Sequence, residues 1–364
     1  MGSILTIIYL LLLIIALLIS GFGWSTTLRK MNTPFSWFFI FVFSVLLGFR
    51  SESSCVDTMS YVNYFNDITL RLKPEFKFEL GFKYFTYLMT QITTVEIYIF
   101  LISFIIIYCL YLSCRMLNIT NRLFCIVLFI AFLPGLDMLT NAVRGGLALA
   151  IGLVILIPTV INHNKFAALN FIPMLLHSSY GIIALISLFV RRFSSQRINH
   201  LLFISSLFFF FIWLFTSPLL ILNIIEGHSR QVNVIGKLIR YLIIERELLS
   251  LPVKLYFMLV SIIFSSIYFF TLKMNADAKK DGILTRIAFI VLSGQFIYAL
   301  FSFSQFSYRF MFLVYPLQIL MVGYVVDKYY SGTLRSILVL SLCFLGIITT
   351  YTTKTFLQYN LLNL

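Results

Sequence analysis

The sequence predicts an all-α, polytopic integral membrane protein, and two observations carry that prediction. Of its 364 residues, 60% are hydrophobic and only 11% are charged, whereas a soluble domain keeps about a quarter of its residues charged. The apolar residues also form runs long enough to cross a bilayer as helices. Transmembrane barrels show alternating segments of about ten residues instead, and the sequence has no such pattern. We therefore treat residues 1–364 as a single membrane-embedded domain.

The apolar runs predict about 11–12 transmembrane segments. They lie near residues 4–20, 35–49, 95–113, 121–135, 145–161, 166–190, 200–222, 253–273, 284–304, 309–326 and 335–353. Residues 80–94 are apolar but carry Lys83, which favours an interfacial or partly inserted helix. The first run lacks the basic segment of a secretion signal, so we expect it to be retained as a helix.

Two long polar loops, about residues 50–79 and 223–252, are expected on one side of the membrane. The short loops on the other side carry clusters of basic residues, a pattern typical of the cytoplasmic side. These are Arg29, Lys30, Arg115, Arg122, Lys165, Arg191, Arg192, Arg197, Lys273, Lys279, Lys280, Arg286, Lys328 and Arg335. Both long loops and both termini are thus expected to face outward.

The net charge of +14 is spread over loops between apolar runs. This dispersal favours contact with anionic lipid or substrate phosphate over nucleic acid.

Residues 166–190 need a special arrangement, because Lys165 and Arg191 flank them and both are assigned to the cytoplasmic side. Two half-length helices broken at HSSYG (177–181) would let the chain enter and return. Such a re-entrant hairpin is tolerated where it is buried in protein or lines a cavity. One tilted span is the alternative, and it would invert the orientation of everything that follows.

The first outer loop contains a candidate sugar site. Asp57, Tyr61 and Tyr64 share one face if this stretch is helical. A carboxylate accepts hydrogen bonds from sugar hydroxyls, and an aromatic ring covers the apolar face of the sugar. A solvated acid beside two interfacial tyrosines is the alternative. Glu79 is a second candidate acid, although an ion pair with Lys83, four residues later, also explains it.

Candidate cations follow in the next apolar region. Asn141 and Arg144 precede a run of small residues, and a guanidinium binds phosphate through two parallel hydrogen bonds. Snorkelling of the arginine toward lipid headgroups is the alternative. His177 lies at the turn of the predicted hairpin, either as a proton carrier or hydrogen-bond donor to substrate, or as a core histidine bonded to a carbonyl.

The C-terminal half adds a polar cluster on the outer side, where Gln305, Tyr308 and Arg309 begin a late span. The second outer loop predicts an amphipathic surface helix with further basic residues, Arg230, Lys237 and Arg240. Several cations near one leaflet favour a diphosphate over a neutral solute.

The cysteines predict no disulfide framework, because four of the five lie within or at the edge of apolar spans. The five cysteines are Cys55, Cys109, Cys114, Cys125 and Cys343. The spacing of His and Cys residues predicts no metal site.

A set of motifs in fixed order resembles a known family. The acidic-aromatic loop of Asp57 and Tyr61 is followed by FELGF with Glu79, by NAVRGGLALAI with Arg144, and by LLHSSYGIIAL with His177. This order is similar to the EpsG-like branch of the Wzy-type bacterial polysaccharide polymerases. The resemblance is best over residues 50–190. Related sequences often have Gln after the arginine, where this chain has Gly145, so we expect a side-chain contact to be missing there.

The resemblance implies a glycosyltransferase on the outer face of the bacterial inner membrane that makes O-antigen, capsular or exopolysaccharide. Its donor would be a growing glycan on undecaprenyl diphosphate, and its acceptor a single repeat unit on the same lipid. No nucleotide sugar, cofactor or metal is implied. A chain-length regulator and a flippase in the same membrane are the expected protein partners.

The candidate residues then take roles by analogy. Arg144 and Arg309 would bind the diphosphate, Asp57 or Glu79 would be the base, and His177 would orient phosphate or move a proton. The remaining candidates would bind substrate: Tyr61, Tyr64, Asn141, Arg230, Lys237, Arg240, Gln305 and Tyr308.

Two other functions remain open. A flippase or transporter for lipid-linked oligosaccharide would also use cations on a diphosphate, although such proteins usually show repeated halves. A ligase would use the same donor and deliver the glycan to a lipid-A core.

Overall fold

The computed structural model describes residues 2–22, 26–50, 56–72, 78–162, 167–215, 251–302 and 307–352. Within these ranges the chain is almost entirely helical, which confirms the all-α prediction. The helices are α1 (Gly2–Phe22), α2 (Thr26–Gly48), α3 (Val56–Thr69), α4 (Leu80–Thr90), α5 (Val95–Met116), α6 (Arg122–Ala131), α7 (Leu133–Thr140), α8 (Val143–Asn162), α9 (Gly181–Phe193), α10 (Gln196–Phe215), α11 (Leu251–Met274), α12 (Ala276–Lys280), α13 (Gly282–Leu300), α14 (Ser307–Tyr329) and α15 (Gly332–Thr352). Two 3-10 segments, Ala167–Leu175 and Ser178–Tyr180, lie between α8 and α9.

The polytopic prediction is also confirmed. By length and composition, eight helices in the described ranges are apolar enough to cross a bilayer, and the bent pair α6–α7 makes up to nine. Helix α1 and the segment from 167 to 193 account for the two other predicted spans.

Burial along the bundle shows which helices are central. In the most apolar 18-residue stretch of Phe310–Tyr329 in α14, 89% of the residues are buried, and α14 packs against α6, α11 and α13. In contrast, only 17% and 22% of the residues in the corresponding 18-residue stretches of α10 and α15 are buried. Because both are strongly apolar, these outer helices suit contact with lipid tails.

The predicted span near 121–135 is not straight, because α6 and α7 meet at an angle of 83°. Phe132 is extended at the junction, and Pro134 stands in the first turn of α7, a position proline tolerates. The polar backbone groups at the break find partners. The Tyr256 hydroxyl accepts the N–H of Leu133 at 3.0 Å, and Thr350 Oγ1 donates to the Ala131 carbonyl at 2.8 Å. The end of α7 contacts α3, where Thr58 Oγ1 donates to the Thr140 carbonyl at 2.9 Å.

Residues 167–193 form the entering and returning arrangement that the flanking charges predict. Asn170 Nδ2 donates to Ser187 Oγ at 3.0 Å, so the 3-10 segment and α9 lie side by side. A 3-10 segment replaces the first of the two expected half-length helices. At the turn, the buried Tyr180 packs on Gly152 of α8, where an added Cβ would lie 2.2 Å from the ring.

Four of the cysteines, Cys109, Cys114, Cys125 and Cys343, are buried and free, as predicted. Cys55 lies outside the described residues.

Candidate active site

An ion pair between Glu79 and Arg144 forms the centre of the candidate site. Glu79 directly precedes α4, and Arg144 lies in the first turn of α8. The Nη1 group of Arg144 donates to Oε2 of Glu79, and each side chain is 23% exposed. Glu79 pairs with Arg144, and no ion pair with Lys83 is found among the described residues. We call the end of the bundle that holds this pair the site end.

The turn of the hairpin completes the environment of the carboxylate. Ser178 donates to Glu79 Oε1 from its backbone N–H at 3.1 Å and from its hydroxyl at 3.2 Å. Both oxygens of Glu79 are therefore engaged. One carboxylate thus connects the start of α8 with the hairpin turn.

These contacts set the charge of Glu79. Burial raises its pKa, but the hydrogen bond from the Ser178 backbone and the charge of Arg144 outweigh that effect. The pKa of Glu79 consequently lies below its ordinary value, and the carboxylate is ionised at neutral pH.

The guanidinium of Arg144 is only partly satisfied. Its carbon lies 4.2 Å from the centroid of the Phe78 ring, a cation–π contact. Its Nε is buried and makes no hydrogen bond to any part of the chain that the structure describes. A buried donor without a partner costs about 1–3 kcal/mol. An anionic acceptor would remove that cost.

His177 lies at the edge of this cluster, where its ring contacts the next turn of its own segment. Its Nδ1 accepts the backbone N–H of Ser179 at 3.3 Å and lies 2.5 Å from Ser179 Oγ. These contacts fix the orientation of the imidazole ring beside Ser178.

Gly145 leaves space beside the histidine. A Cβ added at Gly145 would meet only His177 Cδ2, at 3.9 Å. A side chain at position 145 would therefore face His177.

The first outer loop is helical here, as the spacing of Asp57, Tyr61 and Tyr64 requires. Asp57 is exposed in the first turn of α3, and its backbone N–H donates to Asn141 Oδ1 at 2.9 Å. This contact brings two predicted site residues together and joins α3 to the start of α8.

Tyr61 and Tyr64 are buried rather than open to solvent. The Tyr61 ring centroid lies 5.8 Å from that of Phe78, and the Tyr64 centroid lies 4.6 Å from it. Burial raises the pKa of Tyr61 to about 12, against the lowering effect of Arg144. The two rings support the Phe78 ring on which Arg144 lies, and sugar stacking on them stays a prediction.

Several predicted site residues lie outside the part of the chain that the structure describes. Arg230, Lys237, Arg240 and Gln305, together with the amphipathic helix expected in 223–252, lie outside the described residues. Helix α14 begins at Ser307, and the side chains of Tyr308 and Arg309 are likewise outside the description. Their roles stay predictions.

Two contributors were missed by sequence reasoning. Ser178 falls within the predicted HSSYG break and has no assigned role there, although it binds Glu79. Arg50 ends an apolar run and is buried beside α7. An arginine at the end of an apolar run can also snorkel toward lipid headgroups. The sequence pattern alone therefore does not distinguish a buried Arg50 from a snorkelling one.

The fold defines the class as an all-α, polytopic membrane protein, with a partly satisfied arginine, a carboxylate and a histidine at one end of its bundle. The family model for the EpsG family matches residues 34–362, and the chain belongs to that family of Wzy-type polysaccharide polymerases. No curated protein and no solved structure matches the chain.

Proposed function

We propose that the protein polymerises undecaprenyl-diphosphate-linked repeat units into O-antigen, capsular or exopolysaccharide, on the outer face of the bacterial inner membrane. The membership of the EpsG family supports polysaccharide polymerisation. The observation that carries the finer proposal is the partly satisfied guanidinium of Arg144.

Three features of Arg144 suit it to binding a diphosphate. The Phe78 ring and Glu79 fix its plane, and the buried Nε needs an acceptor. Arginine binds phosphate oxygens with paired, charge-assisted hydrogen bonds. Arg309 is proposed to bind the same diphosphate, with Arg230, Lys237 and Arg240 adding positive charge from the second loop.

The distribution of basic residues supports the proposed orientation. Helices that start at the site end, such as α5 and α14, finish at the other end with Arg115 and Lys328 in their last turns. Arg191 and Arg192 stand in the last turn of α9, which leads away from the hairpin turn. Basic residues favour the cytoplasmic side, so the site end faces outward in this proposal.

In the proposed reaction, the bond between the donor's anomeric carbon and the diphosphate oxygen breaks, and the acceptor hydroxyl oxygen bonds to that carbon. The acceptor proton passes to a base, and the lipid diphosphate leaves with the bonding electron pair. Arg144 stabilises the charge that develops on this leaving group. His177 orients the phosphate or returns a proton to it.

Two carboxylates compete for the role of base, and their surroundings favour Asp57. Glu79 already binds the guanidinium of Arg144, which would also contact the proposed leaving group. The lowered pKa of Glu79 also makes it a weaker base. Asp57 is exposed on a different helix and is linked to this region through Asn141. We assign Asp57 as the base and Glu79 as the residue that positions Arg144.

The decisive experiment is a gel of surface polysaccharide from a deletion strain complemented with wild type, Arg144→Ala, Arg144→Lys or Lys83→Ala. The deletion should collapse the ladder to single repeat units, and both Arg144 variants should fail to restore it, because lysine lacks the paired donors. Lys83 is an exposed cation on α4, so Lys83→Ala should restore the full ladder.

An unchanged ladder in the deletion strain would rule out a polymerase and turn attention to transport of the lipid-linked substrate. Wholly uncapped lipid-A core would instead favour a ligase. A full ladder from Arg144→Ala would remove this arginine from the mechanism. Because we propose metal-independent transfer, the rate of the purified protein should not change in excess EDTA.

A further inference from the structure

Arg50, just beyond the end of α2, is a buried arginine whose donors are directed at protein oxygens. It is 7% exposed. Its Nη2 donates to the Thr140 carbonyl at 2.6 Å, and its Nη1 donates to the Leu139 carbonyl at 3.3 Å. Its Nε and Nη2 also donate to Thr58 Oγ1, at 3.3 and 3.0 Å.

These contacts join two elements that carry the proposed chemistry. Leu139 and Thr140 end α7, where helix carbonyls lack partners in the helix and favour a cation. Thr58 is in the first turn of α3, and its own hydroxyl donates to Thr140 O at 2.9 Å. Arg50 therefore ties the end of α7 to the start of α3.

The tied residues are direct neighbours of the site. Asn141 follows Thr140 and accepts the backbone N–H of Asp57, which precedes Thr58. Arg144 stands three residues beyond Asn141, in the first turn of α8. The placement of Asp57 relative to Arg144 thus depends on the junction that Arg50 holds.

We infer that Arg50 is a positioning residue for the polymerase reaction, which fixes the proposed base on α3 relative to the proposed phosphate-binding arginine on α8. This inference rests on the proposed function. Arg50 acts through Thr58, Leu139 and Thr140 and not on substrate. Lysine would keep the charge but lose the planar fork that reaches all three.

The chain contains a matched arginine away from the site. Arg286 of α13 donates from Nε to the Val160 carbonyl at 2.6 Å and from Nη2 to the Ile161 carbonyl at 3.4 Å. These are the last carbonyls of α8, whereas Arg144 is at its start. Arg286 therefore makes the same kind of contact with a helix end, and both of these carbonyl contacts lie at the opposite end of α8 from Arg144.

The test compares Arg50→Lys with Arg286→Lys in the purified full-length protein in nanodiscs. The substrate is lipid-linked repeat unit extracted from the deletion strain, and the readouts are kcat, KM and melting temperature. We expect both variants to lose similar thermal stability. Arg50→Lys should lower kcat about ten- to hundred-fold with little change in KM, since small misplacements cost rates of this order. Arg286→Lys should keep kcat within about two-fold of wild type.

Thr58→Val provides a second, milder variant in case Arg50→Lys does not fold. It removes the hydroxyl that links Arg50 to Thr140 and keeps nearly the same volume. It should lower kcat by about three- to ten-fold, less than Arg50→Lys, because Arg50 keeps its contacts with the Leu139 and Thr140 carbonyls.

Wild-type kcat in Arg50→Lys or in Thr58→Val, a change confined to KM, or equal kcat losses in Arg50→Lys and Arg286→Lys would overturn the inference. Arg144→Ala separates this failure from that of the proposed function. If Arg144→Ala is inactive while Arg50→Lys keeps wild-type kcat, only the role of Arg50 is wrong. If Arg144→Ala is fully active, the proposed site itself is wrong.

Discussion

At the scale of single residues, the ion pair of Glu79 and Arg144 distinguishes the surroundings of the two candidate acids, Glu79 and Asp57. A carboxylate that already holds a guanidinium and two groups of Ser178 is suited to positioning. Asp57 is exposed in the first turn of α3, which suits the proposed role of a base that meets a sugar hydroxyl. The sequence named both acids, but only the folded arrangement distinguishes their surroundings.

Substitution of each acid by its amide should separate their roles. Asp57→Asn should lower kcat by about 10²–10⁴-fold, the usual contribution of general-base catalysis, with little effect on binding. Glu79→Gln should instead weaken binding of farnesyl diphosphate, used as a probe of the diphosphate site, because Arg144 loses its fixed orientation. Steady-state kinetics and equilibrium binding of the probe check both. The reverse pattern would make Glu79 the base.

The lowered pKa of Glu79 also predicts a pH dependence. A carboxyl whose pKa is depressed by folding stabilises the protein above its unfolded pKa, and this contribution is lost as the pH falls through the folded value. Melting temperatures of wild type and Glu79→Gln should therefore differ most near neutral pH and converge on acidification below about pH 4. Parallel curves down to pH 3 would show that the ion pair does not stabilise the fold.

At the scale of secondary structure, the hairpin and the α6–α7 bend show what the sequence can and cannot predict. The flanking charges of Lys165 and Arg191 predicted that residues 166–190 enter and return. The sequence did not predict the bend at Phe132. The backbone groups on either side of it, at Ala131 and Leu133, are bound by Thr350 and Tyr256 from helices that are distant in sequence. The hydropathy of residues 121–135 cannot predict such contacts, because the partners lie elsewhere in the chain.

Packing of the hairpin on α8 gives a prediction at this scale. Gly152→Ala should destabilise the protein by about 1–3 kcal/mol, because the new methyl group would lie 2.2 Å from the Tyr180 ring. It should also displace Ser178 and lower polymer yield. Gly145→Ala is the matched control for stability, since its Cβ would meet only His177 Cδ2 at 3.9 Å. Thermal unfolding in detergent compares the two, and equal melting temperatures would contradict the proposed packing.

At the scale of the whole molecule, a second polar cluster joins the bundle at the end opposite the site. Asp281 accepts hydrogen bonds from Lys328 at 2.7 Å, Tyr324 at 2.9 Å and Tyr329 at 2.5 Å, so the start of α13 is tied to the end of α14. Burial raises the pKa of Asp281, but these donors outweigh it and lower the pKa to about 2. The carboxylate is thus charged at every physiological pH.

Asp281→Asn should lower the free energy of unfolding by about 1–2 kcal/mol above pH 4, after allowance for the exposed partner Lys328. The loss should shrink as the pH falls toward 2, where the wild-type carboxyl takes up its proton. Asp277→Asn changes an exposed acid in the short neighbouring helix and should have little effect. Urea titration in detergent at two pH values measures both, and equal losses would contradict a role for the cluster.

The overall architecture was accessible from sequence because hydropathy and charge act over whole segments. The prediction of an all-α, polytopic bundle depended on composition and run length alone. The site was accessible only in part. Glu79, Arg144 and His177 were named, but Ser178 and Arg50 act through contacts with residues far away in the chain. Such contacts leave no local pattern.

The link between Glu79, Arg144 and Ser178 has a consequence for biosynthesis. Glu79 and Arg144 are 65 residues apart, and Glu79 and Ser178 are 99 apart. During synthesis the nascent chain exposes the carboxylate first, acquires its cation when α8 emerges from the ribosome, and receives the serine donors only when the hairpin folds back. Assembly of the site therefore coincides with completion of the N-terminal half, and a chain halted before the hairpin leaves Glu79 without its serine partner.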